Sequence, residues 1–176
     1  EAIAGLDPAA FPVTWTPRAA ATDPVAAMAP DAACLHPARA GNEMCRGFVQ
    51  TGDAEAALAE ADAVVEGTFE TPFVEHAYIE PEAGFAEIRE GRVEVHACTQ
   101  APMMDREALA LILGRPETAI RIVPTAVGGG FGSKLDISIQ PVLALAAIKT
   151  GRPVRITYGR GESMMSTTKR HPARME

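Results

Sequence analysis

The chain has 176 residues, 47% of them hydrophobic and 22% charged, enough to bury a core and unlike a disordered tail. A formal charge of −7, with no basic stripe before Lys169-Arg170, speaks against nucleic acid as a partner, and the longest apolar run, Val142 to Ile148, is too short to cross a bilayer. Three cysteines with no Cys-x-x-Cys pair speak against a disulfide framework or a zinc knuckle, so a soluble, cytoplasmic protein is expected, with Cys34 a buried thiol beside an exposed His36.

In chain order, residues 1–50 read as extended and loop-rich, with six prolines among the first 37 residues and no sustained helical period. A short helix follows Asp53, its N-cap, through Ala61, with Leu58 and Ala61 on the packed side. Ala63 to Thr71 has the β-branched and aromatic content of a strand. Phe73 to Glu80, bounded by Pro72 and Pro81, should be extended, which puts His76, Tyr78 and Glu80 on one face. Glu80 and Glu82 are close, but Pro81 between them fixes an extended path, so a catalytic acid pair is the weaker reading.

Gly84 to Glu90 and Arg92 to Cys98, joined at Glu90-Gly91, predict a hairpin. Thr99-Gln100 then either caps a turn or faces a ligand. Met103, Leu109, Ile112 and Leu113 recur at helical spacing between Pro102 and Gly114, which suit a first turn and a C-terminal stop. Thr118 to Pro124 reads as a strand. A helix is predicted from Asp136 to Lys149, with Ile137, Pro141, Leu145 and Ile148 on its stripe and Gly151 ending it. Pro153 to Tyr158 gives another strand, Met164 and Met165 are expected to fill a core, and Arg170-His171 should be extended before Pro172. The fold class is α+β, a mixed sheet with hairpins and packed helices.

Between the 118–124 strand and the predicted helix lies Val127-Gly-Gly-Gly-Phe-Gly-Ser-Lys134. Four of the five residues from Gly128 to Gly132 lack a β-carbon, so the backbone can approach a ligand closely, and consecutive amides can point at one anionic or oxo-bearing group, helped by the dipole of the expected helix. The nucleotide motifs do not fit. Ser133 separates Gly132 from Lys134 and Leu135 follows, so no hydroxyl is placed for magnesium, and Ser133 also stands where a dinucleotide fingerprint needs glycine or alanine.

Thr71-Pro-Phe-Val-Glu-His-Ala-Tyr-Ile-Glu-Pro-Glu82, Cys98-Thr-Gln-Ala-Pro102, Gly128-Gly-Gly-Phe-Gly-Ser-Lys134, Lys149-Thr-Gly-Arg-Pro-Val-Arg155 and Lys169-Arg-His-Pro172 form an ordered series. In that order it resembles the molybdopterin-binding subunit of the xanthine dehydrogenase and aldehyde oxidoreductase family, from about residue 34 onward. The resemblance implies a molybdenum-pterin cofactor, as molybdopterin or its dinucleotide form. It implies hydroxylation of an aldehyde, purine or other N-heterocycle with oxygen from water. It also implies electron transfer to [2Fe-2S] and FAD centres on partner domains or subunits, and an oligomer when intact. Cofactor binding falls by position to Gly129, Gly130, Phe131 and Gly132, with the Phe131 amide donating to an oxo ligand.

Two positions depart from the purine-oxidising pattern: Val74 stands where a glutamine is expected, and Leu135 where a glutamate follows the loop lysine. Both are substrate-pocket candidates, and Leu135 favours an aldehyde or an apolar ring over xanthine. The resemblance places the catalytic glutamate downstream of Glu176, so no catalytic residue and no direct metal ligand is expected in this chain. Residues 1–50 then read as the end of a preceding small domain or linker, and 51–176 as the first part of the molybdopterin-binding domain. The chain reads as a fragment, inactive alone. The alternative is a non-catalytic binding or assembly module that keeps the framework.

Overall fold

A computed structural model describes Asp7, Ala9 and residues 13–176. The chain divides into two compact units after Val64, beyond the change in composition at residue 50.

In the first unit the prolines leave room for little regular structure. Helix α1 (Pro24–Ala27) starts where the Asp23 carboxylate accepts from the Ala26 amide at 2.8 Å, and α2 (Ala54–Ala59) starts the same way from Asp53 to Ala56 at 3.0 Å. The expected cap at Asp53 is therefore present, but Leu58 is exposed rather than packed. Asn42 organises the loop between the helices, its amide donating to the Ala27 and Ala33 carbonyls while its oxygen accepts from Leu35. Cys34 is exposed, contrary to expectation, and donates from Sγ to the His36 carbonyl at 3.0 Å.

The second unit is built on a four-stranded sheet. Strands β2 (Ala83–Arg89) and β3 (Arg92–Ala97) form the predicted antiparallel hairpin, turned by Glu90 and Gly91, both at positive φ as a two-residue type I′ turn demands. Helix α3 (Pro102–Leu113) ends at Gly114 in the left-handed conformation and carries the chain to β4 (Ile120–Pro124), parallel to β3. Helix α4 (Gln140–Thr150) leads to β5 (Val154–Thr157), which pairs antiparallel with β2, so the order is β4-β3-β2-β5. Short strand β1 (Phe69–Thr71) pairs antiparallel with β6 (Ala173–Met175), and α5 (Arg160–Ser166) lies between β5 and β6 in sequence.

Both long helices pack on one face of the sheet, whose alternating residues Ala86, Val93, Val95, Ala97 and Ile120 meet Leu109 and Ala110 of α3 and Leu143, Ala144 and Ala147 of α4. The other face is polar. There Glu94, almost fully buried, takes His96 Nε2 at 2.7 Å, Arg121 at 3.3 Å and Arg89 at 3.7 Å. The His96 hydrogen bond and then the charges of Arg121, His96 and Arg89 hold its carboxyl below the usual range against the cost of burial.

Several expectations need correction. Helix α4 begins at Gln140, not Asp136, because Pro141 lacks an N–H and is tolerated only in the first turn. Its buried stripe is accordingly Gln140, Leu143, Ala144 and Ala147, while Leu145 is exposed. Only the last three residues of the 63–71 strand form one. Met164 and Met165 are exposed and fill no core. Alternation from 74 to 80 fails because Ala77 adopts φ 49°, a left-handed residue that no strand accommodates.

Candidate functional site

The glycine loop, residues 127–135, is laid over the segment 78–82 and over Gln100. Its close approach explains two glycines directly. A β-carbon on Gly128 would lie 2.7 Å from the Glu80 β-carbon, and one on Gly130 only 2.3 Å from Gln100 Oε1. Gly129 and Gly132 turn the chain at φ 99° and 97°, and between them Phe131 sits at φ 53°, a conformation that phenylalanine rarely accepts. The loop ends in a single 3₁₀ turn, Ser133–Leu135, and α4 starts five residues later. The helix dipole expected at its end is therefore not there.

What holds the loop is a set of side chains distant in sequence. The Glu80 carboxylate accepts from the Gly128 amide at 2.8 Å, and Gln100 Oε1 accepts from the Gly132 and Lys134 amides at 3.0 and 3.3 Å. Lys134, only 4% exposed, turns its ammonium back under the loop to the Glu80 carboxylate at 2.8 Å and the Glu80 carbonyl at 3.0 Å, 4.5 Å above the Tyr78 ring centroid. Tyr78 is buried and donates its hydroxyl to Glu82; burial, then that hydrogen bond, pushes its phenol up. Arg160 pins the segment by donating to the Tyr78 carbonyl at 2.7 Å and to the Ile79 carbonyl. Glu80 and Glu82 thus have separate partners and are not an acid pair.

The centre of the loop keeps its donors free, as does Val127 at its entry. Gly128, Gly132 and Lys134 give their amides to side chains, and Ser133 and Leu135 give theirs to the carbonyls of Gly130 and Gly132. Among the described residues nothing accepts from the amides of Gly129, Gly130 or Phe131. Three consecutive unspent donors on a locked backbone, Gly130 being buried, can donate to an oxo or anionic group.

Gln100 adds to it. Its oxygen is fully used by the loop, and its amide nitrogen has no partner among the described residues. Of the two roles open to Thr99-Gln100, Thr99 takes the capping one, its hydroxyl accepting from the Ala101 amide at 3.0 Å, and Gln100 faces the loop. The Val74 backbone is paired with Arg170, two residues beyond Thr168, whose carbonyl accepts from the Ser133 hydroxyl at 3.1 Å. Leu135 immediately follows the buried lysine and is 42% exposed. No group of three or more histidine, cysteine or acidic residues is placed to hold a metal ion among the described residues. A separate cleft of about 580 Å³ between α3 and β4 includes no residue of the glycine loop, and Arg106 in it is spent on Glu117 at 2.8 Å.

The family model of the molybdopterin cofactor-binding domain matches residues 35–176. The chain belongs to that family. It is 42% identical over 153 residues to a probable xanthine dehydrogenase subunit of Bacillus subtilis (strain 168), covering 86% of this chain and 20% of the relative. To the nicotinate dehydrogenase large molybdopterin subunit of Eubacterium barkeri it is 41% identical over 128 residues, covering 72% and 30%. Among solved structures, the aldehyde oxidoreductase of Desulfovibrio gigas superposes with a TM-score of 0.73 at 30% identity, over 83% of this chain and 16% of that one. The chain thus spans a third or less of the length of these proteins. The mixed helix-and-sheet fold is that of the molybdopterin-binding domain of the aldehyde oxidoreductases.

Proposed function

We propose that this chain forms one wall of the cofactor site in the large subunit of a molybdenum hydroxylase, and that the intact enzyme hydroxylates an aldehyde, purine or other N-heterocycle with oxygen from water. The observation that carries the reading is the run of three unspent amides, Gly129, Gly130 and Phe131, on a loop fixed at both ends. The residues fit the group. A molybdenum-pterin centre would offer terminal oxygen ligands able to accept hydrogen bonds, and the loop offers three unspent N–H donors. When bound, the group supplies the two-electron redox chemistry. The chain's own contribution is to orient that group through the Phe131 and Gly130 amides and the Gln100 carboxamide, with no reorganisation needed because the backbone is already locked.

Gln100 also softens one departure from the purine-oxidising pattern. The carboxamide missing at Val74 is available from a different position, already in contact with the loop. Leu135 remains apolar at the loop's edge and supports an aldehyde or an apolar ring as substrate. Glu80, the acid bonded to the loop, is spent on Gly128 and Lys134 and is not free to act as a base. The base therefore belongs to the rest of the subunit, and this chain alone is inactive. Electrons leave through [2Fe-2S] and FAD centres on partner domains or subunits. Three unpaired thiols suit a reducing compartment, the cytoplasm.

Metal analysis tests the reading. The intact subunit should carry molybdenum and oxidise an aromatic aldehyde, and the 176-residue chain purified alone should carry none. An intact subunit that folds without molybdenum when expressed with a competent cofactor supply would instead support a non-catalytic module.

A further inference from the structure

The glycine loop rests on an ion pair between buried Lys134 and partly exposed Glu80 that gives no donor to the three free amides' side of the loop. Lys134 is the most enclosed ammonium among the described ion pairs, its side chain 3% exposed against 28% for Glu80, and the two meet at 2.8 Å. Glu80 Oε2 is shared between the Lys134 ammonium and the Gly128 amide, and the Glu80 backbone amide in turn donates to the Gly128 carbonyl at 3.3 Å. The entry to the loop is therefore held by one acid, and its exit by Gln100 and by the lysine whose backbone follows Ser133. Lysine is an unusual choice for a position this dry, because an ammonium costs far more to bury than an apolar side chain of the same length. Methionine would fill the space above Tyr78.

We propose that Glu80 and Lys134 are positioning residues that also set the charge beneath the three free amides, and so tune the redox potential of the group those amides hold; this rests on the function proposed above. Lys134 is sheltered from solvent and Glu80 only partly so, and a charge there is less screened from a ligand on the loop than a fully exposed charge would be. A positive charge favours the reduced, electron-richer form and a negative charge the oxidised form. The paired state is close to neutral. Removing one partner unmasks the other, so the two removals act with opposite sign. Loss of loop geometry alone has no reason to do so.

The test is a redox titration of molybdenum in the intact, cofactor-loaded enzyme, comparing Lys134→Met, Lys134→Arg and Glu80→Gln with wild type. The proposal expects a midpoint potential below wild type for K134M, above it for E80Q, and close to it for K134R, with kcat falling by about tenfold in the first two while KM changes less. Shifts of the same sign, or no shift in either variant, overturn it. If K134M does not accumulate, the isosteric E80Q is decisive alone, and a potential not above wild type overturns the proposal. Wild-type enzyme that carries no molybdenum refutes the proposed function instead, so the two failures are distinguishable.

Discussion

At the scale of single residues the site is defined by what its donors do not do. Phe131 at φ 53° carries about 1–2 kcal/mol of backbone strain, and the surrounding bonds to Glu80 and Gln100 hold it there. Gly130→Ala tests how much depends on Gln100. The new β-carbon would meet Gln100 Oε1 at 2.3 Å and Cδ at 2.7 Å, so the carboxamide must leave and abandon the Gly132 and Lys134 amides. We expect G130A to lose about 1–3 kcal/mol in urea unfolding, and the double variant Q100A/G130A to be little worse than Q100A, because the clash disappears with the side chain. Full additivity would show that Gly130 is required for another reason. Asp105 makes a second prediction. It is fully buried, Oδ2 accepts from Gln140 at 3.0 Å, and burial pushes its carboxyl up against the lowering influence of the neighbouring Thr99 and Gln140 side chains. A raised folded-state pKa means stability is complete below the ordinary aspartate range and falls as pH rises toward the folded value. Asp105→Asn should remove that fall, narrowing the gap between unfolding midpoints measured at acidic and neutral pH.

At the scale of elements, the helices owe their place to a few small apolar residues. Leu143 is fully buried against β2 and β3 with Ala144 and Ala147 beside it, so Leu143→Ala should cost about 2–5 kcal/mol, while the exposed neighbour Val142→Ala should stay within about 0.5 kcal/mol in the same thermal unfolding series. Elements with local punctuation are legible in the sequence. Glu90-Gly91 marks the hairpin and Gly114 and Gly151 end α3 and α4 by positive φ, which few residues adopt, while Pro102 opens α3 where its missing N–H costs nothing. The start of α4 is not legible from its hydrophobic stripe, which runs on through Pro141, a residue with no amide to donate and the true signal of the first turn. The site is legible only in part. The glycine loop announces itself, but Glu80, Tyr78 and Lys134 meet across more than fifty positions, and nothing local distinguishes a buried lysine from a surface one. Ala77, at a left-handed φ, breaks the alternation that would pair His76 with Tyr78.

At the scale of the whole molecule, one wall constrains the substrate less than it constrains the cofactor. The relatives carry names as different as xanthine dehydrogenase, nicotinate dehydrogenase and aldehyde oxidoreductase, so membership of the family does not by itself fix a substrate. If the loop holds the cofactor as proposed, side chains beside it are where discrimination can be tested, and the exposed Leu135 directly follows the anchored lysine. Its leucine can contact an apolar ring or aldehyde, but it cannot accept from a ring N–H, whereas a glutamate can. In the intact enzyme Leu135→Glu should therefore lower kcat/KM for an aromatic aldehyde relative to xanthine by about tenfold or more, since an unpaired carboxylate is penalised beside an apolar substrate and repaid beside a donor. Lys134 and Gln100 stay in place in that variant, so molybdenum content should not change. A changed ratio at constant metal content assigns Leu135 to the substrate pocket, and an unchanged ratio would leave specificity to walls that the remainder of the subunit supplies.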